Sequence, residues 1–271
     1  MSEITEKVFN LEEALESLTT LVKTYSSDIY IPSKCETIKV NEITASQHKE
    51  LLSSAIDNSL YSTNFNKVFF KILTDLVDPE YLKGLTIYDK ASLAIGIRKQ
   101  ISDSVKINIQ GSETRKIDIS LSPVIEKFRA YTHPDTETFG NKNLSVSIGI
   151  PTIVLENLYE TEMHKRDKTV DDIKTTNDIK DVVSKEFLGE LSKYIQNVKL
   201  GEVFINFNNL KFPQKISVVE KLPSSLVQEV LTQITQWKQD LDGVLTIHYI
   251  DDKFGVERAE VIKIDPLLFV N

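Results

Sequence analysis

Apolar residues recur every three or four positions in six stretches of the chain, and each stretch predicts an amphipathic helix. Two of these helices begin with a capping box, in which the side chains of two residues bond to each other's backbone N–H groups. The two boxes pair Thr44 with Gln47 and Thr86 with Asp89. The predicted helices cover residues 10–26, 44–56, 63–77, 86–101, 185–198 and 225–243.

Elsewhere apolar and polar residues alternate, which predicts short β-strands. One hairpin turns near Gly111, and another follows the last helix. This mixture predicts an α+β fold, with a helical first lobe that carries a β-hairpin and short strands. The second α+β lobe has a long amphipathic helix and a C-terminal β-hairpin. The predicted strands cover residues 37–43, 105–109, 117–121, 144–150, 201–207, 215–219, 244–250 and 256–264.

A charged stretch with few large apolar residues divides the chain between its two halves. Such a segment cannot bury a core of its own, so it predicts an exposed connection. The N-terminal amphipathic helix either docks on its own domain, which is the commoner arrangement, or forms an arm for a partner. The predicted units are an N-terminal helix or arm (1–30), a first lobe (31–158), a charged crossing segment (159–182) and a second lobe (183–271).

The composition narrows the classes of partner and compartment. A formal net charge of −8 over 271 residues disfavours nucleic acids and anionic membranes as partners, because both carry phosphate. No apolar run reaches the roughly 18 residues of a membrane helix, so no membrane insertion is predicted. Cys35 is the single cysteine, which excludes an intramolecular disulfide and a multi-cysteine zinc site. With an acidic N-terminus that does not resemble a signal peptide, these features predict a cytoplasmic protein.

Two groups of potential metal ligands lie close together in the sequence. The first consists of His133, Asp135 and Glu137, which a metal-dependent hydrolase could use. The alternative is a polar loop, because Pro134 keeps the local chain extended and adjacent ligands then do not converge. The second group is formed by Glu160, Glu162 and His164. It lies in the charged crossing segment, where solvated side chains are the expected arrangement.

The sequence lacks the motifs of several common catalytic sites. It has no nucleophile elbow, no Walker sequence and no dinucleotide-binding glycine motif. The whole chain contains four histidines. This favours a protein that is not an enzyme and needs no cofactor. Arg98 stands out as a charge on an otherwise apolar helix. Either its head reaches water, or it makes a fixed ion pair with Asp89 or with a carboxylate of the preceding helix, or it caps backbone groups in the first lobe.

Two apolar stripes are candidates for contact with other proteins. One belongs to the N-terminal helix, and the other is any uncovered part of the last helix. Both stripes could instead be internal core, which is the better interpretation for the last helix. The candidate contact residues are Leu11, Leu15, Leu18 and Val22 in the first stripe, and Ile234 and Trp237 in the second.

Residues 31–151 resemble the baseplate hub subunit and hub-assembly proteins of T4-like contractile-tailed bacteriophages. The similar segments read IPSKCETIKVNEITASQHKELLSSAI, FNKVFFKILTDLV and LTIYDKASLAIGIRKQIS, followed by a hairpin and the strand NLSVSIGIP. Ile97 stands where the family pattern has leucine, and a Leu222-Pro223 step precedes the long helix, as in the family. The matching positions are packing and capping residues: Thr44, Leu51, Leu52, Ala55, Leu85, Thr86, Asp89, Arg98 and Pro151.

This resemblance implies a non-enzymatic protein that acts through protein–protein contacts in building the central hub of the baseplate. The implied partners are other phage baseplate hub proteins. The implied location is the host cytoplasm during assembly, or the baseplate of the finished virion. Two alternatives remain open at this point: a metal-dependent hydrolase that uses His133, Asp135 and Glu137, and a general cytoplasmic adaptor or chaperone.

Overall fold

The structure is a computed structural model, and it describes residues 11–22, 25–54, 63–109, 115–164, 176–251 and 254–269. Helices and strands are mixed along the chain, which confirms the predicted α+β class. The helices are α1 (Leu11–Val22), α2 (Ala45–Ser53), α3 (Thr63–Leu76), α4 (Pro79–Leu82), α5 (Ile87–Ile101), α6 (Ser122–Ala130), α7 (Ile153–His164), α8 (Thr176–Tyr194), α9 (Phe212–Val219) and α10 (Ser224–Leu245). The strands are β1 (Ser26–Ile31), β2 (Glu36–Asn41), β3 (Ser104–Ile109), β4 (Arg115–Ser120), β5 (Glu137–Gly140), β6 (Leu144–Ile148), β7 (Ile195–Leu200), β8 (Val203–Asn206), β9 (Thr246–Asp251) and β10 (Val256–Val261).

All of the described strands pair with antiparallel neighbours. Three two-stranded sheets are formed by β1 with β2, β3 with β4, and β9 with β10. The fourth sheet has four strands in the order β5, β6, β7, β8. The described helices α7 and α8 lie between β6 and β7 in the sequence, and this sheet therefore joins residues about 50 positions apart. A register shift between Ser147 and Ile148 interrupts the pairing of β6 with β7.

Helix α5 lies at the centre of the first hydrophobic core. Every residue from Ala91 to Arg98 is buried, including Leu93 and Ile97, so the helix is enclosed on all sides. Strand β1 packs directly on α5 at Gly96. A Cβ atom at this position would lie 2.5 Å from Ile29 Cδ1, so the close approach requires glycine.

The second core lies between the four-stranded sheet and helix α10. Leu226, Val230, Ile234 and Trp237 point inward from α10 and pack on the buried side chains of β6 and β7. Ile234 and Trp237 are only 4% and 2% exposed. Their interpretation as core residues is therefore the one that the structure supports, and the alternative of a contact surface is wrong for these two residues. The physical reason is that the sheet covers the apolar stripe of α10.

The two cores do not follow the predicted lobe boundaries. Strand β6, predicted within the first lobe, contributes Val146 and Ile148 to the second core. In the opposite direction, the end of the chain returns to the first core, where Leu268 and Phe269 are buried. This arrangement arises because β6 pairs with β7 and the C-terminal segment packs on α2. Neither contact leaves a local signal in the sequence.

Several predicted elements differ from those observed. Residues 215–219 belong to helix α9 instead of a strand, and Pro213 lies in the first turn of that helix, where proline is well tolerated. The predicted crossing segment 159–182 includes the end of α7 and the start of α8. The last helix does not end at residue 243 as predicted, because α10 continues to Leu245. The sequence also favours a short helix at 171–175 and a cap at Asn10, and both of these, together with the predicted turn at Gly111, lie outside the described residues.

Candidate functional site

The apolar stripe of helix α1 faces solvent. Leu11 is 74% exposed, and Leu15 and Leu18 are more than half exposed. The side chain of Val22, the fourth predicted member, is outside the described part of the structure. Docking of the stripe on the chain's own domain would have buried these leucines, so α1 has the exposure expected of an arm. We refer to Leu11, Leu15 and Leu18 as the α1 face.

The capping box of α5 is extended into a buried polar network. The predicted capping box is formed by Thr86 N, which donates to the Asp89 carboxylate at 2.6 Å, and by Asp89 N, which donates to Thr86 Oγ1 at 3.4 Å. The Thr86 hydroxyl also donates to the Asp89 carboxylate at 2.9 Å. The carboxylate also accepts two hydrogen bonds from Ser33, from the backbone N at 2.9 Å and from Oγ at 2.6 Å. Asp89 is fully buried. One carboxylate therefore holds the start of α5 and the turn after β1 together.

Arg98 caps backbone carbonyl groups, and it does not pair with Asp89. Its guanidinium donates from Nε to Leu268 O at 2.7 Å, from Nη1 to Ser102 O at 3.2 Å and from Nη2 to Ser104 O at 2.7 Å. The residue is 1% exposed, and burial lowers the pKa of the guanidinium. The backbone-capping alternative is thus confirmed, and the alternatives of a solvated head and of an ion pair with Asp89 are wrong. Asp89 is engaged by Ser33 and Thr86 instead.

The histidine-containing groups do not assemble into metal sites in the described part of the chain. Within those residues, no group of three or more His, Cys, Asp or Glu side chains converges. His133 instead contacts Thr86 Oγ1 through Nε2 at 3.2 Å and packs edge-on against the ring of Tyr88. Burial lowers the pKa of His133, although the charge of Asp89 opposes this shift. The side chain of His164 is outside the described part.

A second, partly buried polar cluster joins helices α3, α5 and α7. Lys90 Nζ lies 2.6 Å from Glu156 Oε2 and 2.9 Å from Asn66 Oδ1, and both charged side chains are at most 15% exposed. Asn66 Nδ2 donates to Glu160 Oε1 at 2.6 Å. The other oxygen of Glu160, Oε2, is buried without a hydrogen-bond partner. Burial, reinforced by the charge of Glu156, raises the pKa of Glu160 to about 7, against the opposing effects of Lys90 and Lys193.

Replacing Glu160 by glutamine is expected to remove a pH dependence of stability. Because the pKa of Glu160 is raised in the folded protein, the folded state binds the proton more tightly, and stability is lost as the pH rises from about 4.5 to about 7. Urea unfolding at several pH values measures this effect. Between pH 5 and pH 8, the free energy of unfolding of Glu160→Gln should rise by roughly 1–2 kcal/mol relative to that of the wild type.

The matched control for this experiment is Glu126→Gln, which removes an exposed carboxylate paired with Arg129 on α6. Its effect on stability should be small at every pH in this range. A parallel pH profile for the wild type and Glu160→Gln would contradict the assignment of Glu160 as the titrating group.

Comparison with protein-family models, with curated proteins and with solved structures found no match for this chain. None of the described helices has the length and apolar character needed to cross a membrane. The functional features are therefore those that the structure itself provides. They are the α1 face, the two polar clusters, and a cleft beside Lys215 that the sequence analysis did not identify.

Proposed function

We propose that this chain is a non-enzymatic structural or assembly protein of a contractile phage tail, which helps to build the baseplate hub through contacts with other hub proteins. The resemblance of residues 31–151 to hub and hub-assembly proteins supports this proposal. So do the roles of the matched residues Thr44, Asp89 and Arg98, which cap helices and backbone groups and hold the fold together.

The observation that carries the proposal is the exposed α1 face. Three leucines at helical spacing present one continuous apolar strip to solvent, while acidic and hydroxyl side chains occupy other positions of the same helix. An amphipathic helix of this kind binds a groove on a partner by burying its apolar residues. Fully burying a leucine stabilises a complex by about 1.5–3 kcal/mol, so three of them can supply a substantial part of a binding free energy.

Co-expression of this chain with phage baseplate hub proteins, followed by size-exclusion chromatography, tests the proposal. Comigration with a hub protein is expected. Absence of comigration with every hub protein would contradict the proposal. Mass spectrometry of purified virions then separates the two roles, because a hub component stays in the particle and an assembly factor does not.

A further inference from the structure

A cleft of about 370 Å³ opens between the end of helix α7 and the start of helix α9. Its walls are mainly apolar and aromatic, and its volume falls within the range of small-molecule sites. The rings of Tyr159 and Phe212 meet edge to face, with centroids 5.1 Å apart. The hydroxyl group of Tyr159 donates to Ser192 O, so its polar end is satisfied inside the protein. The principal lining residues are Leu158, Tyr159, Leu210, Phe212, Pro213 and Lys215.

Lys215 contributes a largely enclosed side chain and its positive charge to this cleft. The residue is 5% exposed, and its Nζ atom lies 4.9 Å from the centroid of the Tyr159 ring. Among the described residues, none places a carboxylate or another hydrogen-bond acceptor within reach of this amine. Burial lowers the pKa of Lys215, and no neighbouring charge contributes to that shift.

An ammonium group that is largely withdrawn from solvent and has no anion beside it is unfavourable, because the face of an aromatic ring replaces only part of its hydration. The arrangement becomes favourable when a ligand brings the missing negative charge into the cleft. A second lysine, Lys211, lines the same cleft one helical turn away and is exposed. Glu162 is also at the wall and already has an interaction of its own.

We infer that this cleft binds a small molecule with an apolar aromatic body and one carboxylate group. The carboxylate would accept hydrogen bonds from Lys215 Nζ, and the aromatic body would pack against Tyr159 and Phe212. Charge complementarity selects the carboxylate, and the apolar walls select the body. This inference is independent of the proposed hub function, because neither Lys215 nor the cleft belongs to the α1 face.

Three isosteric fluorescent probes test the inference with the full chain: naphthalene-2-carboxylate, naphthalene-2-methanol and 2-naphthylmethylamine. A charge-assisted contact with Lys215 should make the carboxylate bind at least about tenfold more tightly than the alcohol, and the amine should bind most weakly. Lys215→Met keeps the length and apolar character of the side chain and should remove the preference for the carboxylate. Lys211→Met, the matched control at the exposed rim, should preserve it.

The inference would be overturned if the carboxylate and the alcohol bound the wild type with equal affinity. It would also be overturned if none of the three probes bound. These two outcomes need no variant, so they remain decisive even if Lys215→Met does not fold. A tenfold preference that persists unchanged in folded Lys215→Met would also overturn the role of Lys215.

Discussion

Replacing Arg98 by methionine is expected to lower the free energy of unfolding by about 3–5 kcal/mol. The guanidinium donates to three backbone carbonyl groups, at Leu268, Ser102 and Ser104. Methionine fills much of the same space but donates no hydrogen bond, so the buried Leu268 carbonyl and the partly buried carbonyls of Ser102 and Ser104 all lose this donor. The effect also spreads, because Leu268 belongs to the C-terminal segment that completes the first core.

Urea unfolding followed by circular dichroism and by the fluorescence of Trp237, the single tryptophan, measures this change. The matched control is Lys99→Met on the same helix. Lys99 is exposed and pairs with Asp103 at 3.3 Å, so its loss should cost at most about 1 kcal/mol. An Arg98→Met protein as stable as the Lys99→Met control would show that the guanidinium does not hold these carbonyls.

Replacing Asp89 by alanine is expected to destabilise the protein by about 3–4 kcal/mol. The carboxylate accepts four hydrogen bonds, and two of the donors are the backbone N–H groups of Ser33 and Thr86. Because Asp89 is fully buried, water cannot replace the lost acceptor. The turn after β1 would also lose its polar connection to α5.

The chain contains a matched control for this prediction. Helix α2 begins with a capping box of the same geometry, in which Thr44 N donates to Gln47 Oε1 at 2.9 Å, but this box is exposed. Gln47→Ala should therefore cost only about 1 kcal/mol or less, since water satisfies the free N–H group. If Asp89→Ala and Gln47→Ala lowered the free energy of unfolding equally, burial of the α5 capping box would make no contribution to stability.

The features that could be predicted from the sequence are those with local causes. Both capping boxes follow from residues three positions apart, and the structure confirms them at Thr44 and at Thr86. The helical faces of α3, α5 and α10 follow from spacing in the same way. Alternation correctly located the β3 and β4 hairpin, whose strands are neighbours in the sequence.

The features that could not be predicted depend on residues far apart in the chain. Arg98 donates to a carbonyl group 170 positions away. The sequence could therefore offer backbone capping as one of three alternatives for Arg98, but it could not decide between them. The sequence analysis predicted no strand at β1, because this segment shows little alternation of apolar and polar residues. Its extended conformation depends on pairing with β2. Lys215 stands in a segment that the sequence pattern predicted as a strand, and its place beside the Tyr159 ring depends on the packing of α7 near helix α9. The sequence analysis grouped Glu160 with its sequence neighbours Glu162 and His164. In the structure Glu160 bonds to Asn66, which is 94 positions away in the chain.

The most direct test of the central claim compares two double variants of α1 in the co-expression experiment with hub proteins. Leu15→Glu with Leu18→Glu places two charges on the α1 face, and Ser17→Glu with Thr20→Glu places the same two charges on the opposite side. We expect both variants to melt within a few degrees of the wild type, because all four positions are exposed. Only the leucine variant should lose comigration with its hub partner. Unchanged comigration of the leucine variant would contradict the role of α1 as a contact arm. A large fall in the melting temperature of the leucine variant, without such a fall in the Ser17→Glu/Thr20→Glu control, would also contradict it.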